Sequence, residues 1–288
     1  MKTLLFRALL LGTIAAAAPG VDPVARAEEA VSSAGSSTGK YPQAIEDNSY
    51  FIEEAYNQET RVVQHISNFT YFRSPARTLG YSFTQEWPVR SQRHQLSYTI
   101  PYITQGDGLG NGIGDVLLNY RYQLSGHDAA VTTAPRVSLV FASGDEAKGL
   151  GWGANGLQFN FPMSKRLSAG LVVHANAGAT VLLAAKGETS AGGEIKENLW
   201  TYNVGGSVIG LLTPKFNVML EAVSLFSDDF DNQGQVKRNT ETIVSPGFRY
   251  AVNRGSLQIV PGFALPVSIT SEKTRVGAFF YLSLEHPF

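Results

Sequence analysis

Arg275-Val-Gly-Ala-Phe-Phe-Tyr-Leu-Ser-Leu-Glu-His-Pro-Phe288 ends the chain, and its reading decides the fold. Taken two residues at a time, Val276, Ala278, Phe280, Leu282, Leu284 and Phe288 share one side, while Arg275, Ser283 and Glu285 share the other. Successive side chains of a strand point to opposite faces, so the stretch predicts a strand that is apolar on one face and mixed on the other. At this length, that pattern fits a strand with lipid on one face and a barrel lumen on the other.

The same alternation recurs upstream. Residues 79–88 set Leu79, Tyr81, Phe83 and Trp87 against Gly80, Ser82, Thr84 and Glu86, and the next segment sets Leu96, Tyr98, Ile100 and Tyr102 against Gln95, Ser97, Thr99 and Pro101. Residues 116–124 place Val116, Leu118, Tyr120, Tyr122 and Leu124 opposite Asn119, Arg121 and Gln123. Helical spacing would scatter these residues over mixed faces. Further strands are predicted at 62–72, 136–142, 157–161, 167–183, 200–212, 216–224, 241–252 and 257–265, which makes twelve with the terminal one. Residues 62–72 alternate poorly, and 167–183 is long enough to hide a bend at Gly170 or Gly178. Strands of a soluble β-sandwich would run nearer to ~5–6 residues. An even strand number is what a closed bacterial barrel requires. The expected fold class is therefore all-β, a transmembrane antiparallel up-and-down β-barrel of about 12 strands.

Connection lengths carry a second signal, because outer-membrane barrels pair short periplasmic turns with longer outward loops. Short connections are expected at 89–93, 162–166, 213–215 and 253–256, and longer ones at 104–114, 143–156, 186–199, 226–240 and 267–274. Two connections break the pattern, 73–77 by being short and 125–133 by being long. Tyr71, Phe72, Trp87, Tyr102, Trp152, Phe161, Trp200, Tyr250 and Phe288 sit near segment ends and are expected to form interfacial girdles.

The amino end points to the same compartment. Lys2 and Arg7 give a positive start, residues 8–18 an apolar run, and Ala25-Arg26-Ala27 a small-x-small cleavage site. Residues 1–27 are expected to be a signal peptide, with cleavage near Ala18 as the alternative. The apolar run is too short to span ~30 Å of hydrocarbon as a helix. Residues 28–58, rich in Ser, Ala, Gly and Glu, are expected to be a flexible periplasmic lead-in, and residues 59–288 the barrel. Loss of the signal leaves a net charge of about −3 with no basic tract. Nucleic-acid binding has no electrostatic footprint here. The absence of cysteine excludes a disulfide framework, a thiolate metal site and a Cys nucleophile.

A terminal Phe on an apolar face resembles the signal that Gram-negative barrel-assembly machinery reads, with Phe280, Leu282, Leu284 and Phe288 as its residues here. The stretch Gly112-Ile-Gly-Asp-Val-Leu-Leu-Asn-Tyr-Arg-Tyr-Gln-Leu124, together with Asn217-Val-Met-Leu-Glu-Ala222 and residues 281–288, resembles the outer-membrane family of the MetA pathway of phenol degradation. The resemblance spans roughly residues 53–288. It implies a barrel that helps small, hydrophobic or aromatic molecules cross the outer membrane, and it supplies no catalytic or binding residues.

With apolar residues outside, Glu86, Arg121, Asn203, Glu221, Arg249 and Arg275 are expected to face the lumen, as a paired network that holds the wall or as a selectivity lining. His65-Ile-Ser67-Asn68 is similar to a stretch of lipid A deacylases, in which His activates Ser and an acid orients the imidazole. Glu86 on the next strand is the candidate acid. None of His94, His127, His174 and His286 lies in a Gly-x-Ser-x-Gly context. Asp145, Glu146, Asp228, Asp229 and Asp231 could bind cations through oxygen but read as solvated loop carboxylates. Residues 106–110 are no phosphate loop, since no Lys-Ser/Thr follows. The expectation is a passive outer-membrane channel in a Gram-negative bacterium, with no catalytic residues, metal or cofactor. Its expected partners are outer-membrane lipid, the assembly machinery and small-molecule solutes. The alternatives are a lipid-modifying barrel enzyme and a structural or adhesive barrel.

Overall fold

The computed structural model describes residues 45, 48–73, 78–105, 110–126, 129–189, 193–231 and 233–288. Twelve antiparallel strands follow in chain order. They are β1 (Val62–Phe72), β2 (Thr78–Val89), β3 (Ser91–Gln105), β4 (Asn111–Ile113 continued by Val116–Tyr122), β5 (Thr132–Thr133 and Arg136–Phe141) and β6 (Gly156–Asn160 and Met163–Ser168). The second half comprises β7 (Leu171–Glu188), β8 (Glu194–Thr213), β9 (Phe216–Phe230), β10 (Val236–Tyr250 and Val252–Arg254), β11 (Leu257–Ala264 and Val267–Thr270) and β12 (Thr274–Pro287). Each pairs with its neighbour in sequence, and β12 pairs with β1 from Val62 opposite Pro287 to Phe72 opposite Gly277, which closes the barrel. Closure leaves no strand edge, as a sheet in lipid requires.

The wall is inverted relative to a soluble protein. Val276, Phe280, Leu220 and Val204 are more than half exposed on the outside, while Gln64, Gln95, Glu221, Arg249 and Ser283 are at most 2% exposed inside. Water-soluble folds bury the first kind and expose the second; this arrangement puts lipid outside. The fold is that of outer-membrane barrels. The short turns at Arg90, 169–170, 214–215 and 255–256 share one rim with the start of β1 and the end of β12, where the Phe288 amide donates to the Arg61 carbonyl at 3.0 Å. By its short turns, that rim is the periplasmic one.

Several boundaries differ from the sequence reading. The stretch 162–166 is not a turn: β6 runs on to Ser168, the chain reverses at 169–170, and the predicted strand 167–183 therefore straddles two strands. The expected loops 186–199 and 226–240 are mostly strand, because β7 to β10 extend past the membrane as long hairpins. Phe72 and Trp152, expected in the girdles, point inward at 2% and 8% exposure. Phe72 has the inward phase of β1, and Trp152 lies on a connection folded back over the lumen.

The largest departure concerns the lead-in. Of residues 28–58 the structure describes Ile45 and 48–58, and these lie inside the barrel, with Ile45, Phe51, Ile52, Ala55, Asn57 and Gln58 buried. This part is a plug rather than a flexible periplasmic lead-in. The expected signal peptide and the rest of the lead-in lie outside the described residues.

Candidate functional site

The Ile45 amide donates to the Pro214 carbonyl at 2.9 Å, and along residues 50–58 side chains meet the plug's backbone donors. The wall supplies those side chains. Glu221 Oε1 on β9 accepts from the amides of Tyr50, Phe51 and Ile52 at 2.9, 2.9 and 3.2 Å. Further along, Asn176 of β7 accepts from Glu53, Ser164 of β6 from Ala55, Gln123 from Asn57, and Gln95 of β3 from Gln58, all between 2.7 and 2.8 Å. Gln58 then reaches Gln64 of β1 and Glu285 of β12. The segment thus crosses the lumen against strands all the way around the wall.

Its charges join the wall's charges. Arg136 pairs with Glu53 at 2.6 Å, and Arg121 lies 3.7 Å from Glu54 and 4.0 Å from both Glu53 and Glu86. Arg121 Nε also donates to Asn57 at 2.9 Å. Buried charges persist where they are paired and hydrogen-bonded, and this cluster is both.

All six sequence-predicted lumenal residues face inward, in different surroundings. Glu86 and Arg121 belong to the charged cluster, where Glu86 also accepts from Gln95 at 2.8 Å. Glu221 holds the plug backbone. Arg249 donates to the Asn48 carbonyl at 2.6 Å and lies 5.0 Å over the Tyr281 ring. Arg275 sits higher on the wall, 3.6 Å from Glu241 and 5.4 Å over Phe72. Asn203 is buried on β8. The terminal residues Phe280, Leu282 and Phe288 are exposed on the lipid side, and Leu284 is half-buried on that face.

The lumen is divided. On the side of β9 to β12, Phe51, Ile52 and Ile45 pack against Val223, Leu225, Ile243, Val260 and Phe279 in an apolar cluster. Two glycines make room for it. A side chain at Gly205 would stand 2.6 Å from Ile52, and one at Gly262 would collide with the Tyr50 hydroxyl. On the side of β1 to β5, a cavity of about 220 Å3 lies between the plug and a wall bearing Asn68, Ser82, Thr84, Ser97, Thr99 and Asn119.

At the outer rim the β5–β6 connection folds inward. Asp115 accepts from the amides of Gly144 and Trp152 at 3.0 and 3.1 Å, pinning the loop. Leu150 packs with Phe72 and Ile103, and Trp152 with Leu117, Val140, Leu182 and Leu199. The short helix Glu146–Lys148 tops the loop, and Lys148 pairs with Asp145 at 2.7 Å and holds that carboxyl below its ordinary range. Glu146 pairs with Lys186, and Asp228 with Arg238. Of the five carboxylates considered above as cation ligands, Asp145, Glu146 and Asp228 are thus engaged in ion pairs, and Asp231 accepts from the amides of Gln233 and Gln235 at 2.8 and 2.9 Å.

The deacylase-like constellation is not assembled. His65 and Ser67 face outward, where His65 stacks on His286 and Ser67 lies 3.3 Å from the Tyr81 hydroxyl, whereas Glu86 is on the inner face. An acid on the opposite side of the wall cannot orient that imidazole. A buried Ser164–His174 pair does form, at 2.6 Å, but the same Ser164 oxygen accepts the Ala55 amide of the plug. Of the histidines weighed for a Ser-His pair, His127 lies outside the described residues, as does most of 106–110.

Comparison with known protein families and with curated proteins finds no match. Solved structures match across the barrel. The COG4313 outer membrane channel from Pseudomonas putida F1 superposes with a TM-score of 0.60 at 12% identity, covering 81% of this chain and 98% of that one. The chain shares that channel's fold. The NanC porin matches at a TM-score of 0.48 and 9% identity over 78% of this chain and 100% of that one. The translocator domain of the autotransporter NalP from Neisseria meningitidis gives 0.48 and 9% over 79% and 87%.

The plug was not legible in the sequence, nor were its holders Arg136, Ser164 and Asn176 singled out there. Arg136 and Ser138 alternate with Val137 and Leu139, so their inward phase was legible. Nothing local marks residues 48–58, because their hydrogen bonds go to residues 35 or more positions away in most cases.

Proposed function

We propose that this chain is a passive outer-membrane channel for small molecules, narrowed by its own amino-terminal segment. One observation carries the reading: a cavity of mixed polar and apolar lining lies in the lumen beside the plug, bordered by the charged cluster. The plug is held by hydrogen bonds, ion pairs and the apolar contacts of Ile45, Phe51 and Ile52 and takes part in no strand pairing of the wall, so its displacement leaves the barrel closed. The resemblance at residues 112–124 implies small molecules, often hydrophobic or aromatic, while the hydroxyl-bearing wall of the cavity favours cargo that carries polar groups as well. The aromatic boundary of the cavity, Phe51, Phe279 and Tyr281, supports a ring-shaped molecule with an apolar face. The terminal residues Phe280, Leu282, Leu284 and Phe288 serve recognition by the assembly machinery in this reading.

Single-channel recording in planar bilayers tests it. A small conductance is expected from the full chain and a larger one from a variant lacking residues 48–58. Silence from both would overturn the channel. It would favour a structural barrel, a second reading supported by the engagement of so many wall residues with the plug.

A further inference from the structure

The cavity's lining is selective in its chemistry. Along one wall the Thr84 and Thr99 hydroxyls lie 2.9 Å apart, and Asn119 donates to Ser97 at 3.1 Å, with Asn68 and Ser82 beside them. Each hydroxyl has one donor and two acceptor positions, so these internal bonds leave capacity for a ligand. Phe51 of the plug and Phe279, on β12 beside Thr70 of β1, add two apolar ring surfaces tilted 50° to each other, their centroids 5.2 Å apart. The charges at the border are committed to one another, Arg136 to Glu53 and Arg121 to Glu53, Glu54 and Glu86.

These features exclude by energetics. An anion would have to displace a carboxylate from a buried pair, in a cluster that already sets three carboxylates against two guanidiniums. A purely apolar molecule would leave the hydroxyl wall unmet, and a ring with one hydroxyl would leave most of it unmet. About 220 Å3 holds several waters at ~30 Å3 each, or one small ring in their place. We infer that the cavity is a binding site for an uncharged, polyhydroxylated ring, the chemistry of a neutral monosaccharide, its hydroxyls on the β1–β4 wall and its C–H face on Phe51 and Phe279. The inference rests on the channel reading only for the route by which the molecule arrives.

Equilibrium dialysis of radiolabelled glucose against the purified full chain in detergent tests the site. Saturable binding at one molecule per barrel is expected, with phenol and glucuronate competing at least tenfold less well than unlabelled glucose. Thr84→Val/Thr99→Val, similar in shape and favourable in strands, is expected to weaken binding at least tenfold while the barrel keeps its folded mobility on gels. If that variant does not fold, Ser82→Ala/Ser97→Ala is read in its place. No saturable binding, equal competition by phenol, or undiminished binding by a folded variant would overturn the site. Swelling of proteoliposomes in glucose is measured separately: binding without swelling sinks the channel and leaves the site, and swelling without binding does the reverse.

Discussion

Glu221 shows at the residue scale why a barrel lumen cannot be read as a list of pore-lining charges. Its carboxylate faces inward, yet it meets three consecutive backbone amides of the plug. A buried hydrogen bond contributes about 0.5–1.5 kcal/mol net, and Glu221→Ala removes three, so it is expected to loosen residues 50–52 and raise their amide exchange at least tenfold. Glu221→Gln keeps an acceptor and is expected to have a much smaller effect; equal effects of the two would show that the carboxylate does not hold the plug. Gly262→Val tests the same contact from the other side. Its side chain would occupy the position of the Tyr50 hydroxyl, so the Tyr50 ring must turn away and give up its hydrogen bond to the Phe248 carbonyl, and amide exchange at residues 50–52 is expected to rise. Arg121, Glu86 and Arg249 were legible as inward from alternation alone, because phase along a strand is local. What each one grips was not, because the partner lies far away in sequence.

Among elements, strands were read well and connections less well. The pattern at 95–102 and 116–124 survives in β3 and β4 because one face of each meets lipid and cannot tolerate polar groups. β1 alternates poorly for a physical reason. Its inward Ile66 packs on the apolar cluster around the plug, and its outward His65 and Ser67 are met by His286 of β12 and Tyr81 of β2. The extended hairpins β7–β8 and β9–β10 are polar where they leave the membrane, so composition alone made them look like loops. Two elements control access. Removing residues 48–58 is expected to increase single-channel conductance severalfold while the barrel stays closed, as judged by heat-modifiable migration. Asp115→Ala frees the amides that pin the β5–β6 loop and is expected to make residues 143–155 sensitive to added protease on intact cells, where the parent chain resists.

For the whole molecule, the decisive property is that its surface is greasier than its interior. The protein is expected to require detergent for extraction and to migrate faster on gels before boiling than after. Placing a charge on the lipid face, as in Leu220→Arg, is expected to cost ~2–4 kcal/mol of folding free energy near the bilayer midplane, measured by urea titration in vesicles. A charge exchange on the inner wall that keeps its pairing, such as swapping Arg275 and Glu241, is expected to cost less. The sequence by itself determined that the chain is a lipid-facing barrel of about twelve strands, because membrane strands must alternate and alternation is written in neighbouring residues. Only the tertiary structure decided what fills the barrel. Residues 48–58 carry no periodicity; they are ordered by side chains that closure of the wall brings around them, and that meeting exists only once β12 has paired with β1.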